Sequence, residues 1–271
     1  MRVLDLFAGL RGWSRIAEER GHDVVSVDFD PRFDVTHHRD LSDVDGMVAA
    51  LDGWRPDVVL ASPPCESFSV MTIGRNWTRD ERGRPTPKTD KARLALALVA
   101  ATLELIDRLE PSFWVMENPR AMLRKQELVS HFDRRTVTYC QFGEAYMKPT
   151  DLWGGFPPSL VLPPTCRPNA TCHVSAPRGS QTGIQGPSAG MKRGLSDEAS
   201  AWLDGLPPRT AKAFRGGMLE VMGRFPSWSD ERHQLTAERA KIPERLALAV
   251  IEAAELDLAA GRSTIPTTLW S

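Results

Sequence analysis

The chain is predicted to fold as an α/β protein, a largely parallel Rossmann-like sheet with a small, loop-rich module towards its C-terminal end. Three observations lead there. Short apolar runs alternate with helix-period stretches through the first half of the chain, the pattern of βα units feeding a parallel sheet. The opening unit is strand, glycine turn, helix. The composition then breaks after Asp151. Residues 152–196 hold no Asp or Glu but carry Arg167, Arg178, Lys192 and Arg193, and they are rich in Gly, Pro, Ser and Thr.

Arg2-Val3-Leu4-Asp5-Leu6-Phe7 reads as the first strand, and Ala8-Gly9-Leu10-Arg11-Gly12 as a tight turn into a helix from Trp13 to Arg20. Asp23 to Val27 is the second strand and ends at Asp28. Asp40 would end a short third strand, with a helix over Leu41 to Leu51. Asp57-Val58-Val59-Leu60-Ala61 is a continuous apolar run, as in a strand buried on both faces. Pro63 and Pro64 stop it, because proline cannot continue a ladder. Met71 to Asp90 reads as a mobile basic loop: Arg75 to Arg93 holds Arg75, Arg79, Arg82, Arg84, Lys88, Lys91 and Arg93 against Asp80, Glu81 and Asp90, a net +4. Lys91 to Leu109 is an amphipathic helix with Leu94, Leu98, Ala101, Leu105 and Leu109 on one face. Ser112 to Met116 is a strand ending at Glu117-Asn118-Pro119, Ala121 to Phe132 a helix, and Arg135 to Tyr139 a strand. Trp202, Phe214, Met218, Met222, Phe225 and Trp228 suggest a satellite core, and Pro243 to Leu258 a last amphipathic helix (Leu246, Val250, Ala253, Leu256) that packs on the first domain. The expected division is a catalytic domain of residues 1–153 plus 231–271 and a smaller one of residues 154–230.

The 271 residues suffice for one large domain and a small one. At 41% hydrophobic and 25% charged residues the composition is that of a soluble globular protein. The net charge of −1 excludes a polycation, so nucleic-acid contacts need local basic patches. No apolar run approaches the ~18 residues of a membrane span. The N-terminus enters a strand at once, which leaves no room for a signal peptide. Four scattered cysteines (Cys65, Cys140, Cys166, Cys172) point to a reducing, cytoplasmic setting rather than a disulfide scaffold. The expected state is a monomer without an obligate protein partner.

Cys65 lies just past the C-terminal end of a buried strand, where open α/β sheets place their ligands. A lone cysteine is usually a small core residue. Pro63-Pro64 before it and Glu66, Ser67 and Ser69 after it favour a loop thiol. A G-x-x-G turn alone can be a βα connection without a ligand. Asp28, 19 residues after Gly9, strengthens it, because an acid there can bind ribose hydroxyls.

Together these motifs resemble the DNA (cytosine-5) methyltransferases, over residues 1–153 and the C-terminal helix. Asp5-Leu6-Phe7-Ala8-Gly9-Leu10-Arg11-Gly12 resembles their S-adenosylmethionine loop, with Arg11 where glycine is usual. The resemblance assigns the cofactor to Phe7, Ala8, Gly9, Leu10, Gly12 and Pro63, with Asp28 on its ribose, Phe29 beside the adenine, and Asp40 and Leu41 on the adenine edge. Pro64-Cys65-Glu66-Ser67-Phe68-Ser69 resembles the nucleophile motif and Glu117-Asn118-Pro119 the motif of the catalytic acid. The family has two arginines in a later motif; Lys148 falls on the first and Thr150 on the second, which keeps a charge near the cytosine O2 but loses the planar fork. The resemblance implies a Rossmann-like S-adenosylmethionine-dependent methyltransferase fold of a compact, divergent, phage-like branch, acting on duplex DNA. Cys65 would add to cytosine C6, Glu117 would hold a proton on N3, and Lys148 would face O2, with the base turned out of the duplex. Expected DNA contacts are Ser67, Ser69, Arg75, Arg79, Arg82, Arg84 and Lys88 around the basic loop. Arg167, Arg178, Gln181, Lys192 and Arg193 complete them in residues 154–230, a region of target-recognition type. With so few long polar side chains the target is expected to span about two to four base pairs, with Arg178 either reading a guanine or meeting a phosphate.

Other readings stay open: an RNA cytosine-5 methyltransferase, a DNA-binding pseudo-enzyme, an amino-methyltransferase using Ser62-Pro63-Pro64, or a dehydrogenase sharing the βαβ opening. The amino-methyltransferase reading needs an aromatic at position 65, which is Cys. Cys166-x5-Cys172-His173 can supply three zinc ligands with Cys140 as a fourth, but that spacing fits no common structural site, and the expectation is no metal.

Overall fold

The computed structural model describes residues 1–144, 146–167, 170–173 and 240–264. Strand β1 (Arg2–Leu6) runs into helix α1 (Ser14–Glu19), then β2 (Asp23–Asp28), a two-residue β3 (His37–His38) and helix α2 (Val44–Ala50). β4 (Val58–Ala61) follows, then a one-turn helix α3 (Ile73–Asn76), a hairpin of β5 (Trp77–Arg79) and β6 (Pro85–Pro87), and the long helix α4 (Asp90–Leu109). β7 (Phe113–Pro119), β8 (Arg134–Thr138) and β9 (Pro149–Gly155) complete the strands described, and helix α5 (Glu244–Ala259) the helices. The main sheet has seven strands in the order β3-β2-β1-β4-β7-β9-β8, the Rossmann-like α/β architecture expected. β3, β2, β1, β4 and β7 pair in parallel throughout. Chain order moves outward from β1 to β3, then returns to β4 on the other side of β1. A switch point therefore lies between β1 and β4, where open sheets form a crevice at the strands' C-terminal ends.

The strands form because their residues can be buried on both faces. Val3, Leu4, Leu6, Val58, Val59, Leu60 and Ala61 are all fully buried. α2 starts on Asp43, whose side chain accepts the Gly46 N–H at 2.9 Å, and α4 on Thr89, which accepts the Ala92 N–H at 3.3 Å. No described helix is long and apolar enough to cross a membrane. The chain divides into two compact units: Met1–Thr136 with Asp151–Val161 and Ala247–Ser271, and Val137–Thr150 with Leu162–Leu246.

Several elements differ from the sequence-based expectation. The expected helix over Ala121 to Phe132 is two 3-10 turns, Leu123–Lys125 and Glu127–Val129. Gln126 between them is extended, and Arg124 is drawn to the buried Asp151 by two bonds of 2.8 and 2.7 Å. β9 carries no period-2 apolar signal. It forms because Asp151 is satisfied by Arg124 and Thr136, and because Gly154 lies so close to β7 that a Cβ would stand 2.0 Å from the Trp114 carbonyl oxygen. On α4 the expected Ala101, Leu105 and Leu109 are buried, but the N-terminal half is turned: Ala92, Ala95 and Val99 are inside, with Leu103 and Ile106 further along, and Leu94 is exposed. In α5, Leu256 is exposed and Asp257 takes the inner position, accepting from the Ser159 N–H and hydroxyl at 2.8 and 2.6 Å.

The stretch expected to be a mobile loop is an ordered hairpin on a short helix. β5 and β6 pair antiparallel, Trp77 against Pro87. Trp77 is buried beside Phe68, and its indole N–H donates to the Ser67 carbonyl at 2.7 Å. Asn76, also buried, accepts the Lys88 N–H at 2.7 Å. At the tip Asp80 accepts from the backbone of Arg82 and Arg84 and from the Arg84 side chain, and the Arg84 N–H above all holds its carboxyl below the usual range.

Candidate active site

Four strand ends converge at one level. Leu6 pairs with Val27 and with Ala61, and Ala61 pairs with Met116. Phe7, Asp28, Ser62 and Glu117 are therefore the next residues out of four adjacent parallel strands, around the switch point.

The β1–α1 turn is tightly wound. Phe7, Gly9 and Arg11 all have positive φ, at 59°, 50° and 58°. At Arg11, where glycine is usual in the family it resembles, the guanidinium pairs with Glu18 and reaches Asp34 at 3.6 Å, which offsets part of the left-handed backbone's cost. The Ala8 N–H donates to the Val27 carbonyl at 3.0 Å, and the Gly9 N–H to Asp28 Oδ2 at 3.0 Å. Asp28 Oδ1 accepts the Asp30 N–H at 3.0 Å. The buried Asp28 carboxylate is thus oriented by two backbone donors, with one lone pair left on each oxygen for a hydroxyl. Phe29 beside it is 68% exposed, and Asp40 is exposed with Oδ1 accepting the Ser42 N–H at 2.9 Å. That bond holds the Asp40 carboxyl below its usual range. Leu41 is buried in the core. Beneath the turn Asp5 is fully buried, and its Oδ2 accepts from the Ser14 N–H and hydroxyl. Burial, aided by the Asp28 charge, pushes the Asp5 carboxyl up to about 7, and its Oδ1 has no hydrogen-bond partner.

The β4 end carries Cys65 in a turn closed by its own carbonyl, which accepts the N–H groups of Phe68 and Ser69, both at 3.0 Å. Fully buried Phe68 anchors the turn, and Trp13 Nε1 donates to Ser62 Oγ at 3.1 Å before it. Cys65 is half-exposed at the crevice, as expected for a loop thiol, and Glu66 pairs with Lys91. Glu117 is 3% exposed at the end of β7. The next residue, Asn118, is fully buried, and its amide donates to the Pro63 carbonyl at 2.9 Å. This bond ties the acid-bearing strand to the cysteine loop, a positioning role that the Glu-Asn-Pro run alone did not reveal.

Of the expected DNA contacts, Ser67 is buried and its hydroxyl donates to the Lys91 carbonyl at 3.2 Å, and Ser69 reaches Thr72 at 3.4 Å. Arg79 donates to the Gly83 carbonyl at 2.6 Å and Arg84 to Asp80 at 2.9 Å. Arg75 on α3, Arg82 at the hairpin's tip and Lys88 just after β6 are exposed. In the second unit Lys148 stands 4.4 Å over the Tyr139 ring, with Nζ 3.4 Å from the phenol oxygen. Arg167 is exposed. Arg178, Gln181, Lys192 and Arg193 lie outside the described residues, as does the expected satellite core.

Residues 1–135 match the protein family described as C-5 cytosine-specific DNA methylase. The chain is similar to a probable DNA (cytosine-5)-methyltransferase of Frog virus 3 (isolate Goorha), 31% identical over 174 residues that span 64% of this chain and 78% of the viral protein. It is also similar to the type II methyltransferase M.HgiGI of Herpetosiphon aurantiacus, 29% identical over 137 residues, 46% of this chain and 96% of that protein. Among solved structures, the Entamoeba histolytica methyltransferase EhMeth superposes with a TM-score of 0.49 at 10% identity, covering 95% of this chain and 98% of that one.

Proposed function

Because this chain belongs to the C-5 cytosine-specific DNA methylases, we propose that it transfers a methyl group from S-adenosylmethionine to C5 of a cytosine turned out of duplex DNA, through a covalent bond between Cys65 and C6 of the ring. The observation that carries this reading is the Asn118–Pro63 bond across the β4–β7 register, which fixes Glu117 and the Cys65 turn on neighbouring strand ends.

Cytosine C5 is a poor nucleophile. Addition of the Cys65 thiolate to C6 turns the ring into an enamine whose C5 can attack a methyl group. The electron density arriving at N3 and O2 must be met. Glu117, buried at 3% exposure, would hold a proton on N3, and Lys148 would face O2 as a point charge. S-adenosylmethionine supplies the methyl group as an activated sulfonium. The turn Phe7 to Gly12 with Pro63 would cradle it, Asp28 would take its ribose, and Phe29, Asp40 and the Leu41 backbone its adenine. After transfer the C5 proton leaves, the thiolate is expelled and the ring is restored. The base must leave the stack, because the C6 face is covered within a duplex. The basic hairpin would hold it out through phosphate contacts, for which exposed Arg75, Arg82 and Lys88 are available. Residues 154–230 would select the short target.

The test is a duplex carrying 5-fluorocytosine, whose C5 fluorine cannot leave as a proton does. Incubated with S-adenosylmethionine, the enzyme is expected to accumulate a denaturation-resistant protein–DNA adduct. Absence of adduct on every candidate target would remove the covalent mechanism, and adduct on RNA alone would move the substrate.

Asp28→Ala is expected to weaken S-adenosylmethionine binding by ~1.5–3 kcal/mol, a tenfold to hundredfold loss. It removes charge-assisted bonds to the ribose and also the acceptor that holds the Gly9 N–H. Titration calorimetry reads the change, and an unaltered affinity would take Asp28 out of the cofactor site.

A further inference from the structure

The second unit brings three sulfurs and an imidazole to one point. The ligand atoms of Cys140, Cys166, Cys172 and His173 all lie within 4.8 Å of one another. Cys140 comes from the 3-10 turn Tyr139–Phe142; the other three come from residues 166–173. We propose that these four side chains are a structural zinc centre that ties the two segments together.

The spacing supports a common metal. Cys166 Sγ and Cys172 Sγ each lie 3.5 Å from His173 Nδ1, and 3.2 Å from one another. A tetrahedral zinc, with bonds of about 2.3 Å to sulfur and about 2.0–2.1 Å to nitrogen, sets sulfur about 3.5 Å from nitrogen and sulfurs about 3.8 Å apart. These two sulfur–nitrogen distances already match, the sulfur pair needs to open by about 0.6 Å, and Cys140, within 4.8 Å of each of the others, needs to close by at most about 1.3 Å. The pair is far from the about 2.05 Å of a disulfide, and all the cysteines are unbridged. Packing alone is a poor account, because Cys166 and Cys172 are half-exposed. Apolar burial does not gather three thiols and a ring nitrogen around one centre.

The surroundings orient the ligands. The Cys166 N–H donates to Thr138 Oγ1 at 2.8 Å, and Gln141 Nε2 approaches Cys172 Sγ at 3.5 Å. The first bond fixes the backbone that carries Cys166, and the second, a donor to sulfur, orients Cys172 and favours its thiolate. Three thiolates and one imidazole select a soft, tetrahedral ion over magnesium or calcium, and four protein ligands leave no open position for catalysis. The role is therefore structural. Tyr139, the first residue of the turn carrying Cys140, lies under Lys148, so the metal would steady the platform on which that lysine rests. The linear pattern Cys-x5-Cys-His matches no common site because one ligand is supplied 26 residues upstream of Cys166.

The experiment measures metal in the full chain after exhaustive dialysis without chelator. One zinc per chain is expected in the wild type, falling to background in Cys166→Ser/Cys172→Ser. To separate loss of metal from loss of fold in that variant, the wild type is also stripped and reloaded with cobalt(II). Thiolate-to-cobalt charge transfer and the intense visible bands of a tetrahedral ion are then expected. A dialysed wild type that holds no zinc and gives no such spectrum overturns the proposal. A Cys166–Cys172 disulfide found by peptide mapping of freshly isolated, unreduced protein does so too. None of these readouts depends on methyl transfer.

Discussion

Cys65→Ser is expected to lower methyl transfer by on the order of 10⁴-fold or more while leaving S-adenosylmethionine affinity nearly unchanged. A hydroxyl at this position is far less acidic than a thiol and far less willing to add to an aromatic ring. The fold should not notice the exchange. The Cys65 turn is held by its carbonyl, which accepts from Phe68 and Ser69, and by the buried Phe68 ring, none of which involves the sulfur. The turn proposed to cradle the cofactor, Phe7 to Gly12, is pinned separately through Gly9 to Asp28 and Ala8 to Val27. Labelled-methyl incorporation and calorimetry on the same preparation check both halves. Retention of substantial turnover would mean that the methyl group moves without covalent help from Cys65.

Glu117→Gln is expected to cost about 10²- to 10⁴-fold in the methyl-transfer rate, with DNA and cofactor binding close to wild type. Glutamine keeps the shape and can donate to a ring nitrogen, but it cannot deliver and recover a proton as electron density moves onto N3. The substitution leaves the backbone of β7 and the Asn118 bond to Pro63 in place. The loss should therefore appear in kcat rather than KM. Single-turnover rates with saturating DNA make the distinction. A wild-type rate would assign N3 protonation to another group, and a loss confined to KM would make Glu117 a binding residue only.

Much of the fold and the site could be read before any coordinates, for a physical reason. Parallel strands buried on both faces read as near-continuous apolar runs, so Val58 to Ala61 and Phe113 to Met116 announce themselves, and Val3, Leu4 and Leu6 do so around the buried Asp5. In such a sheet the chemistry gathers at strand ends, so Asp28, Cys65 and Glu117 follow once the strands are placed. What stayed hidden depends on residues distant in sequence. β9 carries a buried aspartate and two glycines, which read as loop until Arg124 and the Trp114 carbonyl are known to face them. The helix expected over Ala121 to Phe132 fails because Arg124 is drawn to that same aspartate. The hairpin after Cys65 read as a mobile basic loop because its anchor is a single indole, Trp77, among charges. The cysteine cluster could be named from the sequence, Cys140 included, but its spacing argued against a metal, because only folding shows that Cys140 meets the other three at one point.

The sheet order also has a kinetic side. β9 lies between β7 and β8 although it is made after both. During vector-wise synthesis β8 has no sheet partner to meet until β9 exists, and the outer edge of β7 stays bare over the same interval. That edge belongs to Phe113-Trp114-Val115-Met116, all buried in the finished molecule. At about 5–20 residues per second, the ribosome takes a few seconds to pass from Pro119 to Gly155. For those seconds the nascent chain shows an unpaired, strongly apolar strand edge, a template for wrong pairing. A product ending before Pro149 lacks β9 altogether and keeps that edge open.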